Sequence, residues 1–286
     1  MLETAAMASL TIEAQQITVR HNPDRAAVQA VSLRVEPGEQ IALIGPSGAG
    51  KTTLLSVLGA ARQPEEGQLL LAGANPWAMR GRAMRTARQR LFIAPQVPPL
   101  PPRQRVVTAV MAGQLPVWSL WRTLRSLWYA SDAAEAYRAL QTFSLGDKLW
   151  SRVDRLSGGE RQRVSLARGL VSRAEALFID EPLSALDPAL AEQTLRALVD
   201  HACQRQATLV CSLHQVDLAL AHFPRIVGLR DGELVFDLPT AQVSRQAVQD
   251  LYFGRESDSD GSASIHSLVP GAGAEAGAVS IASRCA

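Results

Sequence analysis

The sequence predicts an α/β fold, and three observations predict it. A short apolar run, Gln40 to Ile44, leads straight into a glycine loop, Gly45-Pro-Ser-Gly-Ala-Gly-Lys-Thr52, and Lys51 to Leu58 then has helix character. A second apolar run, Ala176 to Ile179, ends in two carboxylates, Asp180 and Glu181. Between and around these runs, short β-rich stretches are separated by longer helical ones.

Size and composition fit one large domain, or one domain with a small lobe or tail, in 286 residues. Hydrophobic residues make up 47% and charged residues 20%, the balance of a globular chain with a full core. A formal net charge of +2 gives no case for nucleic acid as a partner. Almost all basic residues are arginine, and Lys51 and Lys148 are the two lysines. Where arginine is the default cation, a lysine inside a glycine loop points to a need for a slim, mobile ammonium. Cys203, Cys211 and Cys285 lack zinc-site spacing and read as free thiols of a reducing compartment. The first residues lack the pattern of a secretory signal, and no window approaches the roughly eighteen apolar residues of a membrane span. A cytoplasmic address is expected, with membrane association made through another protein.

Taken in order, residues 10–19 read as an edge strand and 28–35 as a second strand, with Pro37-Gly38 as a turn. Gln40 to Ile44 and the helix 51–58 flank the glycine loop, and residues 68–72 form another strand. Arg80 to Arg90 carries five arginines and reads as a helix whose charged face is either solvated or turned to a partner or membrane-proximal surface. The strand 91–94 leads to Gln96. Four prolines between Val97 and Arg103 forbid helix there. Thr108 to Phe143 reads as mostly helical. Trp118 and Trp121 share one face of it, with Trp128 and Trp150 further on, as the core of a helical lobe or as a docking surface. Leu156 opens a glycine turn and a helix to about Ser172, and Leu190 to Gln204 forms another. Thr208 to Ser212 is a strand with His214 just beyond. Asp231-Gly232 joins a hairpin of 226–229 and 233–236, and 240–253 make a last helix. From about Arg255 the chain is rich in Ser, Gly, Ala and Asp, and residues 255–286 are expected to be a disordered tail.

The glycine loop matches the phosphate-binding pattern at every fixed position. Its glycines let backbone N–H groups of Gly45, Pro46, Ser47, Gly48, Ala49, Gly50 and their neighbours converge on an anion (the proline adding shape rather than a donor), and the helix N-terminus adds its own. Lys51 is expected at the β- and γ-phosphates, Thr52 at Mg²⁺, and Thr53 completes the set. Asp180 is placed to organise the metal, and Glu181 to polarise an attacking water. Gln96 can bind Mg²⁺ or its water and sense the γ-phosphate. His214 can hydrogen-bond that phosphate or orient Glu181. In Leu156-Ser157-Gly158-Gly159-Glu160-Arg161-Gln162, Ser157 can cap the following helix and leave free N–H groups facing outward, a second anion site. A chain with two phosphate cradles makes sense if two copies pair, each giving this helix end to the other's nucleotide.

These stretches, with Ser184-Ala-Leu-Asp187, resemble the ATP-binding cassette ATPases over about residues 10–254. The resemblance implies a RecA-like P-loop core with an antiparallel β subdomain and a helical subdomain, here about 97–165. It implies ATP and Mg²⁺ as cofactors, and two ATPs sandwiched in a head-to-tail homodimer. Such subunits sit peripherally on the cytoplasmic face of the cell membrane, on two transmembrane permease subunits, with a solute-binding protein as an indirect partner. Where the family often has an aromatic residue on adenine, the matching position in this chain falls at or near His21, with Pro23 as a turn signal beside it. Trp118-Ser-Leu-Trp-Arg-Thr-Leu, Ser212-Leu-His-Gln-Val-Asp-Leu-Ala, Arg225 to Asp237 and Leu251-Tyr-Phe-Gly further resemble the ATPases of phosphonate importers. Val97-Pro-Pro-Leu-Pro-Pro-Arg departs from them and leaves phosphonate, phosphite or another small anion open as cargo. A soluble cassette acting outside transport is the competing class.

Overall fold

The computed structural model describes residues 9–22, 25–118 and 133–254. Its strands are β1 (Ile12–Asn22), β2 (Arg25–Val35), β3 (Gln40–Ile44), β4 (Glu66–Leu71), β5 (Leu91–Ala94), β6 (Ala176–Asp180), β7 (Thr208–Ser212), β8 (Arg225–Arg230) and β9 (Glu233–Pro239). The helices are α1 (Lys51–Leu58), α2 (Gly81–Gln89), α3 (Val106–Met111), α4 (Ala133–Thr142), α5 (Gly158–Val171), α6 (Pro188–Gln204), α7 (Val216–His222) and α8 (Arg245–Phe253). One sheet is antiparallel, in the order β2-β1-β4, and the other runs β5-β6-β7-β3-β8-β9.

The larger sheet positions the site. From β5 through β8 its strands are parallel, and only β9 returns antiparallel. β3, β6 and β7 are buried at all five positions each, as strands covered on both faces must be. Parallel neighbours end at the same edge, so the segments leaving β5, β6, β7 and β3 all emerge side by side. They carry Gln96, Glu181, His214 and the glycine loop. The crevice outside the carboxyl ends of such strands is where α/β folds bind ligands.

The hairpin turn between β8 and β9 joins the two sheets. Gly232 N–H donates to the Ala49 carbonyl at 3.1 Å, and the Gly232 carbonyl accepts from Gln29 N–H of β2 at 2.8 Å. Arg225 adds a second tie. Its Nη2 donates to the Arg34 carbonyl of β2 at 3.0 Å, while the guanidinium forks onto Asp237 of β9 at 2.6 and 2.7 Å.

Several expectations are corrected. β1 is the middle strand of its sheet, not an edge, because β4 pairs on its second side. Alternation such as Ile12, Ala14 reports a buried face, which middle and edge strands of a one-faced sheet share. The helix expected over 108–143 is interrupted. α3 stops at Met111 and passes into a 3-10 turn, Ala112–Val117, that contains Pro116. The last helix starts at Arg245, where Ser244 accepts from Ala247 N–H, after a separate 3-10 turn at Thr240–Gln242. Cys211 is free and buried, whereas Cys203 is not a free thiol. No residue of α2 is buried, so its arginine face is exposed. Trp118 is a core residue whose indole N–H donates to Gln114 at 2.9 Å, while Trp150 is 55% exposed. Trp121, Trp128, Pro23, Cys285 and the tail from 255 lie outside the described residues.

Candidate functional site

The glycine loop turns from β3 into α1 against two neighbouring backbones. Gly45 has φ +149°, and a Cβ there would lie 2.0 Å from the Leu229 carbonyl oxygen. Gly50 has φ +99°, and its Cβ would meet the Ala27 carbonyl oxygen at 2.1 Å. A side chain at either position would push the loop off β8 or β2. Lys51 opens α1 with 5% exposure and folds back over the loop, donating to the carbonyls of Gly45 at 2.7 Å and Pro46 at 3.0 Å. Burial pulls its ammonium below the usual lysine range, against the opposing attraction of Glu181 and Asp180.

Asp180 ends β6 and is held from both sides. Thr52 Oγ1 donates to Oδ2 at 2.8 Å and Ser212 Oγ to Oδ1 at 2.5 Å. The thiol of Cys211 lies beside this pair but is pushed up first by burial and then by Asp180, so it is no nucleophile here.

Glu181 is fixed at four points. Its backbone is left-handed, with φ +47°, an uncommon conformation for a residue with a side chain. Its N–H donates to Ser212 Oγ at 2.9 Å, and its carbonyl accepts from the Gln162 side chain of α5. One carboxylate oxygen accepts from Gln96 Nε2 at 2.6 Å, and the other is paired with His214 Nε2. Residues expected separately at three strand ends therefore converge on a single carboxylate.

A cleft of about 360 Å³ opens over this network. Its lining includes Ser47, Gly48, Ala49, Gly50, Lys51, Thr52, Thr53, Gln96, Glu181 and His214, with Ala27 and His21 at the other side. His21 Nε2 meets Thr53 Oγ1 at 3.0 Å. Gly45, Pro46 and Asp180 lie behind the lining rather than in it, through the contacts already given.

Ser157, Gly158 and Gly159 do not line that cleft. They form the N-terminus of α5, closed by a reciprocal cap. Glu160 N–H donates to Ser157 Oγ at 3.1 Å, and Ser157 N–H to Glu160 Oε2 at 2.7 Å. Nothing lies within 4 Å of a Cβ built on Gly158, whereas one on Gly159 would meet the Ala185 carbonyl oxygen at 2.7 Å, so the helix end is open at Gly158 and packed at Gly159.

Sequence reasoning missed three contributors. Ser212 reads in sequence as the last residue of a strand, and only its distance from Asp180 across neighbouring strands reveals its hydroxyl at work. Gln162 belongs to a recognised stretch but had no role until Glu181 turned its carbonyl toward α5. Arg62 Nη1 donates to His21 Nδ1 at 2.9 Å, a contact made across 41 residues that no local pattern carries.

The family description "ABC transporter" matches residues 28–184. The "Phosphonates import ATP-binding protein PhnC" of Polaromonas sp. is 56% identical over 247 residues, covering 85% of this chain and 89% of that protein. A protein of Albidiferax ferrireducens, "Phosphonates import ATP-binding protein PhnC 2", is 59% identical over 226 residues, covering 79% and 82%. Among solved structures, a dimeric ATP-binding cassette in a post-hydrolysis state with ADP and Pi superposes with a TM-score of 0.67 at 23% identity, covering 80% of this chain and 98% of that one. A nucleotide-free ATP-binding cassette from an ABC transporter gives 0.66 at 18% identity, covering 85% and 94%.

Proposed function

The chain belongs to the ATP-binding cassette transporter ATPases, with their RecA-like core, antiparallel β sheet and helical lobe, and from that membership we propose that it hydrolyses ATP to energise import of a phosphonate. The observation that carries the catalytic half of this reading is the Glu181 carboxylate, held between Gln96 and His214 at the mouth of the phosphate-loop cleft. The cargo is carried by the names of relatives that are more than half identical over most of their length.

In this reading the N–H groups of the loop from Gly45 to Gly50 and the Lys51 ammonium hold the phosphates. Lys51 exchanges its contacts with the loop carbonyls for contacts with phosphate oxygens. Thr53 adds its hydroxyl, and His21 lies under the base. Glu181 takes the proton of the attacking water as general base, with His214 orienting it and Gln96 reporting on the phosphate side. The donor set fits Mg²⁺. A hydroxyl, a carboxylate and an amide oxygen are hard ligands, and this ion takes few protein ligands when phosphates complete its shell. Thr52, Asp180 and Gln96 would hold it. When bound, it neutralises charge developing on the phosphate oxygens.

The outward-facing N-terminus of α5, with Ser157, Gly158 and Gly159, supports a composite site in which each copy of a homodimer caps the other's nucleotide. The cassette is taken to span 10–254, with the helical lobe at about 97–165 and a tail beyond 255. Among the described residues no helix is long and apolar enough to cross a membrane. From its likeness to importer ATP-binding proteins we infer a peripheral position on the cytoplasmic face of the inner membrane, against two permease subunits and served by a solute-binding protein.

The test is growth of a deletion strain on a phosphonate, and separately on phosphite, as sole phosphorus source. Restored growth on phosphonate with the intact chain, and none with Glu181→Gln, is expected. Growth of the deletion strain equal to its parent on phosphonate would remove that cargo. Rescue on phosphite alone would replace it.

A further inference from the structure

The hydrogen bonds around His21 have only one consistent direction. A guanidinium has donors and no acceptor, so Arg62 Nη1, 2.9 Å from His21 Nδ1, must donate, and Nδ1 must be the bare nitrogen. A neutral imidazole with a bare Nδ1 carries its proton on Nε2. His21 Nε2 therefore donates to Thr53 Oγ1 at 3.0 Å, and the hydroxyl is the acceptor. The hydroxyl proton of Thr53 is left over, and Thr53 is buried at 7% exposure in the wall of the phosphate cleft.

Arg62 is held to this task from outside the site. It follows α1, with its backbone N–H donating to the Ser56 carbonyl at 3.0 Å. Its Nη2 donates to the Arg20 carbonyl at 2.8 Å, next to His21 in β1, and Glu65 lies 3.9 Å away. Glu65 also accepts from Arg20 N–H at 3.1 Å, and Glu66 of β4 pairs with the Arg20 side chain at 2.8 Å. Arg62 thus links the strand that carries His21 to the end of the helix that carries Thr53.

We propose that Arg62 is a positioning residue of the nucleotide site, which fixes the His21 tautomer and so commits the Thr53 hydroxyl proton to a nucleotide oxygen. With both ring nitrogens engaged, His21 offers the base only its face. This proposal rests on the nucleotide reading of the cleft.

The test is MgATP binding by the full chain, measured by calorimetry. Arg62→Met is expected to weaken binding about fivefold, the factor one hydrogen bond of ordinary strength supplies. Arg62→Lys, which still donates, is expected to restore most of it. In a His21→Phe background, where the ring can stack but has no nitrogen to fix, Arg62→Met is expected to add nothing. Equal losses in both backgrounds, or none in the parent, would overturn the relay while leaving the site intact. Failure of the parent chain to bind MgATP would overturn the site itself and the relay with it. Where Arg62→Met yields no folded protein, His21→Phe and Thr53→Val read the same chain. Their losses should overlap, and additive losses would overturn it.

Discussion

Ser212 donates its hydroxyl proton to Asp180 at 2.5 Å, across the pairing of β7 with β6. The same oxygen accepts the Glu181 N–H at 2.9 Å. Ser212 is 0% and Asp180 5% exposed, so water cannot replace either bond. Ser212→Ala leaves the buried Asp180 carboxylate one partner fewer and the part-buried Glu181 N–H with none, at a cost of about 1–3 kcal/mol. Chemical denaturation should show that loss, and ATP turnover should fall by about tenfold or more as the turn into Glu181 loosens. Unchanged stability and turnover would remove Ser212 from the site.

Glu181→Gln keeps the shape and both side-chain neighbours but cannot take a proton. ATP binding should persist while turnover falls about 10²- to 10⁴-fold, the range general-base catalysis supplies. His214→Ala should cost less than Glu181→Gln, because Gln96 still holds the other carboxylate oxygen. Steady-state ATPase assays on the two variants decide the order.

Lys51 gives a prediction about pH. Its folded-state affinity for the proton is lowered, chiefly by burial, so the unfolded chain binds that proton more tightly. Stability contributed by this group therefore rises with pH as the folded value is passed, and the gain is complete above the usual lysine value of 10.5. Below the folded value the full cost of the buried ammonium is present. Urea unfolding of the nucleotide-free chain at about pH 8 and pH 10 should show a gain in the parent that Lys51→Met lacks. The same variant should lose the stabilisation that ATP gives the parent.

The cap of α5 gives a prediction on the acid side. Glu160 is held below the usual carboxylate range, first by the Ser157 N–H and also by Lys148, whose ammonium lies 3.6 Å away. Its contribution is present above the unfolded Glu value and lost as pH falls through the lower folded one. Ser157→Ala should cost about 1 kcal/mol at neutral pH. Glu160→Gln should flatten the acid limb of the stability profile. Denaturation midpoints across that limb check both.

Much of the candidate site is legible in the sequence because the residues proposed for phosphate binding form local patterns. A loop that wraps an anion in N–H groups needs glycines where β2 and β8 press in, so Gly45 and Gly50 announced themselves. Asp180 and Glu181 were visible as acids at the end of an apolar strand. What stayed hidden was set by distance through space. Ser212 and Gln162 are ordinary polar residues until the parallel order of β6 and β7, and the approach of α5, bring them to Glu181. Arg62 was one arginine among many. The central place of β1 is hidden for a related reason, since a residue pattern records which face is covered and not which edge is paired. The break after α3 falls in the 3-10 turn that contains Pro116, where the proline cannot donate a helical hydrogen bond.

The Gly232 peptide bonds Ala49 of the phosphate loop on one side and Gln29 of β2 on the other. Mechanically it is a rivet: whatever displaces the loop carries the antiparallel sheet with it, as one lever arm. Compliance must then lie elsewhere in the cassette. Displacement of α5 would reach Glu181 by a separate route, the contact of the Gln162 side chain with its carbonyl.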